Sequence, residues 1–206
     1  MRTVRVYCAG PLFNQKEREE MALIAETLEV RGYTTFLPQR DGLELTKCVE
    51  GLVASGMALV EANALMVEAV FSLDVYEILH GCNVLVANLN GRVPDEGTVS
   101  EAAIAWSRGK PLVGYKADSR SAFGGQDNPL VTGLFRFQLA QSMEELADAV
   151  DRETARAQDV DVGQEREAEL EESLRLGRRI SALLEKTRRI DDLVLAMREF
   201  RSSAVT

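Results

Sequence analysis

Carboxylates and a tyrosine are the side chains of this sequence whose types and spacing best suit chemistry. The segment VPDEGTVSE places Asp95, Glu96 and Glu101 around a predicted helix start. Tyr7 lies in the early segment YCAGPLF, where its hydroxyl could donate a hydrogen bond. The chain has a single histidine, His80, so a histidine triad or a histidine-rich metal site would depend on that residue alone. The residues therefore predict chemistry carried out by carboxylates, without a metal.

The spacing of Thr98 and Glu101 permits two interpretations. Thr98-Val-Ser-Glu101 matches the capping box, in which Thr98 caps the helix and the Glu101 side chain bonds back to the cap. Glu101 would then have a structural role. In the other interpretation, the partial positive charge of the helix N-terminus keeps the Glu101 carboxylate ionised without a metal. An ionised glutamate that faces a ligand crevice is a competent nucleophile toward an electrophilic sugar carbon.

The elements that would position these residues alternate between strand and helix, which predicts an open, mostly parallel α/β sheet. The run NVLVANL is almost continuously apolar, as expected of a parallel strand that is buried on both faces. Asn14 is the predicted N-cap of the first helix, and Gly32 is its predicted end. Strands are predicted at 3–9, 33–38, 83–89, 111–115 and within 135–140, and helices after Asn14, over 46–80 with one or two breaks, at 99–108 and at 143–150.

The order of the strands predicts where a ligand would bind. In an open doubly wound sheet, ligands bind beyond the carboxyl ends of the strands, at the point where the strand order reverses. If the order is the common 2-1-3-4-5, the reversal lies between the first and third strands. The loops at 7–13 and 88–101 would then flank the crevice, and Gly10 in the first loop would permit a close approach of the backbone.

The composition disfavours several classes of protein. The 206 residues include 24 Lys or Arg and 33 Asp or Glu, for a net charge of −9, which argues against nucleic acid and anionic membrane surfaces as partners. The sequence contains no run of about 18 apolar residues, so it predicts no membrane span. The N-terminus has no apolar signal core. Cys8, Cys48 and Cys82 are odd in number and widely spaced. They predict free thiols in a cytoplasmic protein, with no disulfide framework and no four-cysteine zinc site.

The composition changes beyond Asp151, where Pro, Tyr, Trp and Cys no longer occur. Apolar side chains there recur with alternating steps of four and three, which is a heptad pattern. We expect one long amphipathic helix that packs against another copy of the chain or back onto the first domain, with an ordinary surface helix as the alternative. The predicted domains are an α/β domain at 1–150 and a helical extension at 151–206, a candidate oligomerisation helix. The heptad positions are Leu176, Ile180, Leu183, Thr187, Ile190, Val194 and Met197.

Four segments share their order and spacing with a known family. They are YCAGPLFNQKERE, the D-x-x-x-I of Asp74–Ile78, ANLNGRVPDEGTVSEAAIAWSRGKPLVGY, and Asp118-Ser-Arg. Over roughly residues 4–150, the chain resembles the nucleoside 2-deoxyribosyltransferase family. The resemblance implies a flavodoxin-like fold, with an open parallel sheet of order 2-1-3-4-5 and helices on both faces. It also implies assembly as a homodimer or a higher homo-oligomer.

The resemblance further implies that the chain exchanges the base of a 2'-deoxynucleoside, without a cofactor, through a covalent deoxyribosyl enzyme formed on a glutamate. Purine or pyrimidine 2'-deoxynucleosides and free bases would be its partners. Breaking an N-glycosidic bond builds positive charge at C1', which one carboxylate captures while another group protonates the departing base. Carried over by position, the catalytic residues are the nucleophile Glu101, Asp95 near the sugar and base, Asp74 for base protonation, and Tyr7 to hold Glu101. The implied substrate-binding residues are Gly10, Phe13, Gly97 and Asn128, with Asn128 matched to an asparagine that a neighbouring subunit offers to the 5'-hydroxyl.

Two departures from the family pattern bear on these implications. Family members generally end soon after the last helix of the sheet domain, whereas this chain continues for another 56 residues beyond Val150. Relatives that hydrolyse nucleoside 5'-monophosphates often have a serine at the position of Asp95. A carboxylate there would repel a phosphate by about 1 to 4 kcal/mol at about 4 Å. Asp95 therefore favours an unphosphorylated nucleoside.

The same residues are compatible with other functions. The nearest alternative is a nucleoside or nucleoside 5'-monophosphate N-glycosidase, in which water takes the place of the second base. A non-catalytic nucleotide-sensing module would keep the fold and use the C-terminal helix, but the joint presence of Tyr7, Asp74, Asp95 and Glu101 argues against it. A flavin-binding electron carrier is disfavoured because the first loop lacks a Ser- and Thr-rich phosphate cradle.

Overall fold

The computed structural model describes residues 3–118, 120, 127–187 and 189–203. The chain divides into two compact units, Met1–Val160 and Asp161–Thr206. The elements of the first unit are β1 (Arg5–Ala9), α1 (Gln15–Val30), β2 (Thr34–Phe36), α2 (Pro38–Asp41), α3 (Leu45–Ala54), α4 (Leu59–Tyr76), a π-helical turn (Glu77–Gly81), β3 (Val84–Asn88), α5 (Glu96–Ser107), β4 (Leu112–Tyr115), α6 (Pro129–Leu134), β5 (Leu139–Ala140) and α7 (Met143–Asp159).

The five strands of the first unit form one parallel sheet in the order β2-β1-β3-β4-β5. Tyr7 of β1 aligns with Phe36 of β2 and with Leu85 of β3. Every residue of β3 is buried, as its apolar run predicted, because helices cover a parallel sheet on both faces. The predicted flavodoxin-like sheet and its strand order are confirmed. The order reverses between β1 and β3, and in sheets of this kind ligands bind beyond the carboxyl ends of the strands at such a reversal.

Alternate side chains of the strands form two apolar cores, one on each face of the sheet. Val6 and Cys8 of β1 belong to the core that includes α1 and α7. Tyr7 belongs to the other core, which includes Ala102 and Ala105 of α5. The Tyr7 side chain is fully buried and stacks on the Phe36 ring, with 5.4 Å between ring centroids. Tyr7 therefore projects toward the face of the sheet that α5 covers.

Several helix and strand ends were predicted correctly. Asn14 caps α1 and forms a capping box with Glu17, and Gly32 follows the helix with a φ of 94°, a conformation that glycine adopts without strain. The stretch at 46–80 is helical with breaks, as predicted. The sequence did not predict α2, which begins at the last residue of the strand predicted at 33–38 and ends before the helix predicted over 46–80.

The fifth strand and the last helix of the sheet domain differ from their predictions. Only Leu139–Ala140 of the segment 135–140 is a strand. Arg136 and Phe137 have φ angles of 55° and 60°, in a left-handed conformation that cannot continue a strand. The helix predicted at 143–150 continues to Asp159, so the predicted domain boundary at 150 falls within α7.

The second unit contains two helices, α8 (Val162–Lys186) and α9 (Ile190–Ser203). The prediction of one long helix was wrong, because α8 ends with Thr187 as its C-cap. The two helices pack against each other, and Arg179 of α8 forms a salt bridge with Glu199 of α9. The heptad pattern therefore spans a turn between two helices. Among helices built from the described residues, none is long and apolar enough to cross a membrane.

Candidate active site

A hydrogen bond between Tyr7 and Glu101 lies at the centre of the candidate site. The Tyr7 hydroxyl donates to Glu101 Oε1 at 2.6 Å. Tyr7 comes from β1 and Glu101 from the second turn of α5, and the two residues meet because α5 packs on the face of the sheet toward which Tyr7 projects. A bond this short, between a hydroxyl and a carboxylate, is charge-assisted and fixes the orientation of the carboxylate.

Asp74 contributes a second carboxyl group to the same place. It lies near the end of α4 and interacts with the Tyr7 hydroxyl. Burial raises the pKa of Asp74 above its usual range, and the interaction with Tyr7 offsets part of that rise. The pKa of Tyr7 lies far above its ordinary value because the ring is buried and because Glu101 and Asp74 both disfavour a tyrosinate. Tyr7 is therefore a hydrogen-bond donor at every physiological pH.

Asp95 is the N-cap of α5. Its Oδ2 accepts hydrogen bonds from the Thr98 N–H at 2.7 Å and from Thr98 Oγ1 at 2.9 Å. The capping-box interpretation, with Thr98 as the cap and Glu101 bonding back to it, is therefore wrong. The helix begins at Glu96, three residues before the predicted start, because aspartate is itself one of the strongest N-caps. Among the described residues, none donates a hydrogen bond to Asp95 Oδ1.

The Glu101 carboxyl is hard to ionise. Burial, followed by the charges of Asp74 and Asp95, raises its pKa to about 7, although the hydrogen bond from Tyr7 acts in the opposite direction. The pKa of Glu101 is thus raised by burial and not held low by the helix N-terminus, as the sequence had led us to expect. The early start of α5 places Glu101 in the second turn, and the effect of a helix terminus falls off within the first turn.

These four residues supply the groups that substitution at a carbon requires. Glu101 is a carboxylate of raised basicity, held in one orientation by Tyr7. Asp74 is a second carboxyl, and burial raises its pKa above the usual range. One carboxylate that attacks and one acid that protonates a leaving group is the pairing used by retaining glycosidases. Within the described part of the chain, no three His, Cys, Asp or Glu side chains come together as a possible metal site.

The two predicted glycines lie where a side chain would meet its neighbours. Gly10 follows β1, and a Cβ there would lie 2.1 Å from Met21 Sδ and 3.1 Å from Asn88 Cβ. The absence of a side chain at Gly10 therefore allows α1 to pack against the end of β3. Gly97 lies in the first turn of α5, where a Cβ would lie 3.1 Å from the carboxylate of Asp95.

The other two predicted substrate-binding residues have only local hydrogen bonds. The Phe13 side chain is 79% exposed, and its N–H donates to Glu17. Asn128 is exposed and caps α6, with its Oδ1 accepting from the Leu130 N–H at 2.9 Å. Neither residue has a hydrogen bond with Tyr7 or Glu101 in the described structure. Both therefore remain predictions for substrate binding.

Three polar residues at the carboxyl ends of the strands were not among the predicted site residues. Asn88 is fully buried at the end of β3, and its Nδ2 donates to Glu20 at 3.0 Å. Asn90 accepts from the N–H groups of residues 117 and 118, and Lys116 follows directly after β4. The sequence did indicate these residues, because Asn88 and Asn90 lie at and just after the end of the most apolar strand, and Lys116 directly follows the neighbouring strand.

Comparison with known protein families matches the family model described as nucleoside 2-deoxyribosyltransferase to residues 6–135. This span includes Tyr7, Asp74, Asp95 and Glu101. A comparison with curated proteins finds no match.

Comparison with solved structures gives two further matches to report. A conserved protein from Enterococcus faecalis V583 aligns with a TM-score of 0.53 and 22% sequence identity, over 73% of this chain and 98% of that chain. A 2-desoxiribosyltransferase from Leishmania mexicana aligns with a TM-score of 0.43 and 16% identity, over 69% of this chain and 93% of its own. The Enterococcus structure supports the α/β fold described above.

Proposed function

Since the chain belongs to the nucleoside 2-deoxyribosyltransferase family, we propose that it transfers 2-deoxyribose from one nucleobase to another through a covalent intermediate on Glu101. The observation that carries this proposal is the 2.6 Å hydrogen bond from Tyr7 to Glu101, beside the carboxyl groups of Asp74 and Asp95. The group lies where the strand order reverses, which is the usual ligand site of such sheets.

In the first half-reaction, a Glu101 oxygen attacks C1' of the deoxynucleoside. The C1'–N bond breaks, its electron pair passes to the base nitrogen, and Asp74 donates a proton to the departing base. Tyr7 keeps the Glu101 carboxylate in line with C1' throughout. The product is a free base and a deoxyribosyl ester of Glu101, as in the covalent step of a retaining glycosidase.

In the second half-reaction, a nitrogen of another base attacks C1' from the face that the first base left. The ester bond to Glu101 breaks, the carboxylate is released, and Asp74 accepts the proton that the incoming base loses. If water attacks instead, the products are deoxyribose and a free enzyme. Transfer and hydrolysis therefore share their first half and differ only in the acceptor.

Asp95 supports an unphosphorylated nucleoside as the substrate. Its Oδ1 is not used in capping α5, so it can accept a hydrogen bond from a sugar hydroxyl. Its negative charge would repel the phosphate of a nucleoside 5'-monophosphate. We propose purine or pyrimidine 2'-deoxynucleosides and free bases as substrates, with Gly10, Phe13, Gly97 and Asn128 contributing to binding.

The proposal also covers the cellular compartment and the oligomeric state of the enzyme. The thiols of Cys8, Cys48 and Cys82 are all free, which fits the reducing environment of a cytoplasm, and nucleoside salvage would take place there. Apolar side chains of α8 and α9 remain exposed, among them Leu174, Ile190 and Leu195. We propose that this second unit supports a homodimer or a higher homo-oligomer.

The test is incubation of the protein with 2'-deoxyinosine or thymidine, with and without adenine, followed by chromatography. Deoxyadenosine that forms only when adenine is present supports transfer, whereas free base that accumulates without an acceptor shows hydrolysis. Glu101→Gln should abolish both transfer and hydrolysis. Glu96→Gln is the matched control, because Glu96 is an exposed glutamate in the same helix, and it should retain activity. No product from any deoxynucleoside or monophosphate would refute the proposal.

A further inference from the structure

A buried ion pair lies at the carboxyl end of β4, and neither of its residues belongs to the group of Tyr7, Asp74, Asp95 and Glu101. Lys116 Nζ donates to Asp127 Oδ1 at 3.0 Å, and the two side chains are only 8% and 2% exposed. The same Nζ donates to the main-chain oxygens of Leu89 at 2.9 Å and Gly91 at 2.8 Å. A lysine ammonium has three donors, so all of them are used within the protein.

The ammonium joins three segments that are distant in sequence. The main chain of Lys116 is anchored in the sheet, because its N–H donates to the Ala140 carbonyl at 2.8 Å. Leu89 and Gly91 belong to the loop between β3 and α5, and Asp127 lies just before α6. A rigid sheet position therefore holds both the loop and the start of a helix.

The loop between β3 and α5 turns at the point where Lys116 holds it. Gly91 has a φ of 115°, a left-handed conformation that only glycine adopts readily. Asn90 adds to the connection, because its Oδ1 accepts from the N–H groups of Ala117 and Asp118 at 2.8 and 2.9 Å. Five hydrogen bonds of Lys116, Ala117 and Asp118 thus hold the segments that follow β3 and β4. Asp95 lies four residues after the turn at Gly91.

We propose that Lys116 is a positioning residue, which acts with Asp127 to fix the turn at Gly91 and thereby the place of Asp95 at the start of α5, close to Glu101. The kinetic side of this inference rests on the proposed function. A displacement of about 1 Å in a reacting group is enough to lower a rate strongly. The charge of Asp95 acts on Glu101, so a shift of this loop alters the nucleophile as well.

The composition of the pair supports a positioning role over a purely stabilising one. Burial of two charges carries a desolvation penalty that an apolar pair of similar volume would avoid. Asp127 Oδ2 is also buried, and it has no hydrogen-bond partner among the described residues. What an apolar pair could not supply is three directed hydrogen bonds to fixed carbonyl and carboxylate oxygens.

Amide hydrogen exchange tests the positioning without any need for activity. The Thr98 N–H reports on Asp95 directly, because it donates to Asp95 Oδ2. In Lys116→Met and in the double variant Lys116→Met/Asp127→Asn, which removes both charges, exchange at Thr98 and at residues 89–91 should quicken at least tenfold relative to β1. Lys116→Arg should restore part of the protection. Unchanged exchange at Thr98 in a folded variant would overturn the inference.

Lys110→Met is the matched control. Lys110 Nζ donates to the Cys82 carbonyl at 2.6 Å, at the amino ends of β3 and β4 and hence away from the crevice. The Lys110→Met variant thus removes a half-buried lysine that also binds a main-chain oxygen, but amide exchange at Thr98 should not change. If Lys110→Met quickens exchange at Thr98 as strongly as Lys116→Met does, the effect is general destabilisation and the inference fails.

Steady-state kinetics completes the test. Lys116→Met should lower kcat/KM for 2'-deoxyinosine at least tenfold, with a partial recovery in Lys116→Arg and less than a twofold change in Lys110→Met. Normal kcat/KM in a variant whose loop exchanges faster would overturn the positioning role while the proposed function stands. If the wild-type chain turns over no nucleoside, the proposed function fails, and exchange at Thr98 alone decides whether Lys116 positions Asp95.

Discussion

The Tyr7 hydroxyl donates to the Glu101 carboxylate at 2.6 Å, across 94 positions of sequence. This bond couples the protonation of a partly buried glutamate to a tyrosine that does not ionise, because the pKa of Tyr7 lies far above the ordinary range. Its effect on Glu101 is opposed by burial and by two nearby carboxylates, which together leave the pKa of Glu101 at about 7. The candidate nucleophile is therefore poised to change charge near neutral pH.

The activity of the wild-type chain should depend on pH through Glu101. The nucleophile must be deprotonated, so kcat/KM should rise with pH through a midpoint near 7, the pKa of Glu101, and should decline at the higher pH at which Asp74 loses the proton that it donates to the base. Below the midpoint it should fall about tenfold for each pH unit. Initial rates with 2'-deoxyinosine at a series of pH values, at constant ionic strength, measure the profile. A flat profile between about pH 5 and 8 would exclude Glu101 as the group that titrates.

Tyr7→Phe should shift that profile to higher pH. Loss of the donor removes the influence that lowers the pKa of Glu101, so more of the carboxyl stays protonated at a given pH. The maximum of kcat/KM should also fall by roughly 10- to 100-fold, since a hydrogen bond to a charged group contributes about 1.5 to 3 kcal/mol.

The matched control for this change is Tyr33→Phe. The Tyr33 hydroxyl donates to Asp151 Oδ1 at the same distance of 2.6 Å, but Tyr33 packs against the core on the α1 side of the sheet. This variant should keep the wild-type profile. An equal shift in both variants would show that the effect does not come from Glu101.

Glu101→Gln should make the protein more stable at high pH. The pKa of Glu101 is about 7 in the folded chain and 4.5 ordinarily, so the folded state holds this proton more tightly than the unfolded state does. The free energy of unfolding therefore falls as pH rises from 4.5 to 7, by about 3 kcal/mol in all. Gln does not ionise, so the variant escapes this loss.

Urea unfolding at two pH values measures that difference. At pH 8 the variant should exceed the wild type in stability by up to about 3 kcal/mol, and at pH 4.5 the two should agree closely. Equal stabilities at pH 8 would mean that Glu101 ionises without cost in the folded chain.

Asp95→Asn should separate the capping role of this residue from its role in the site. Asn and Asp are comparable N-caps, so the stability of this variant should change little, whereas Asp95→Ala should lose about 0.5 to 2 kcal/mol. Both variants should lose activity on deoxynucleosides if the Asp95 charge binds or orients the substrate. Asp95→Asn should in addition accept 5'-monophosphates better, because the repulsion of phosphate is gone. Full activity in Asp95→Asn would leave Asp95 with a capping role alone.

Truncation after Val160 should leave the first unit folded and reduce the number of chains in the assembly. The sheet and α7 are complete at that point, and the exposed apolar side chains of α8 and α9 are removed. Light scattering gives the mass, and circular dichroism shows whether the sheet domain is retained. If the number of chains in the assembly does not change, the contacts between subunits lie within the first unit.

The sequence by itself determined the sheet of this protein. Apolar runs of strand length alternate with helical periodicity, and both patterns are local, so they indicate strands and helices wherever they occur. The order of those elements leaves few parallel arrangements, and the order 2-1-3-4-5 is the one found. Family resemblance then singled out Tyr7, Asp74, Asp95 and Glu101.

Only the tertiary structure decided what those four residues contact. The sequence permits both Asp95 and Thr98 as caps of α5, and the selection of Asp95 releases Glu101 from any capping role. Glu101 instead binds Tyr7 from another element, and its pKa follows from burial and from charges on α4 and the start of α5. Lys116 is a further case, because its partners come from two other segments. Burial, electrostatic coupling and hydrogen bonds between distant segments arise only when the chain is packed, so no local pattern of residues encodes them.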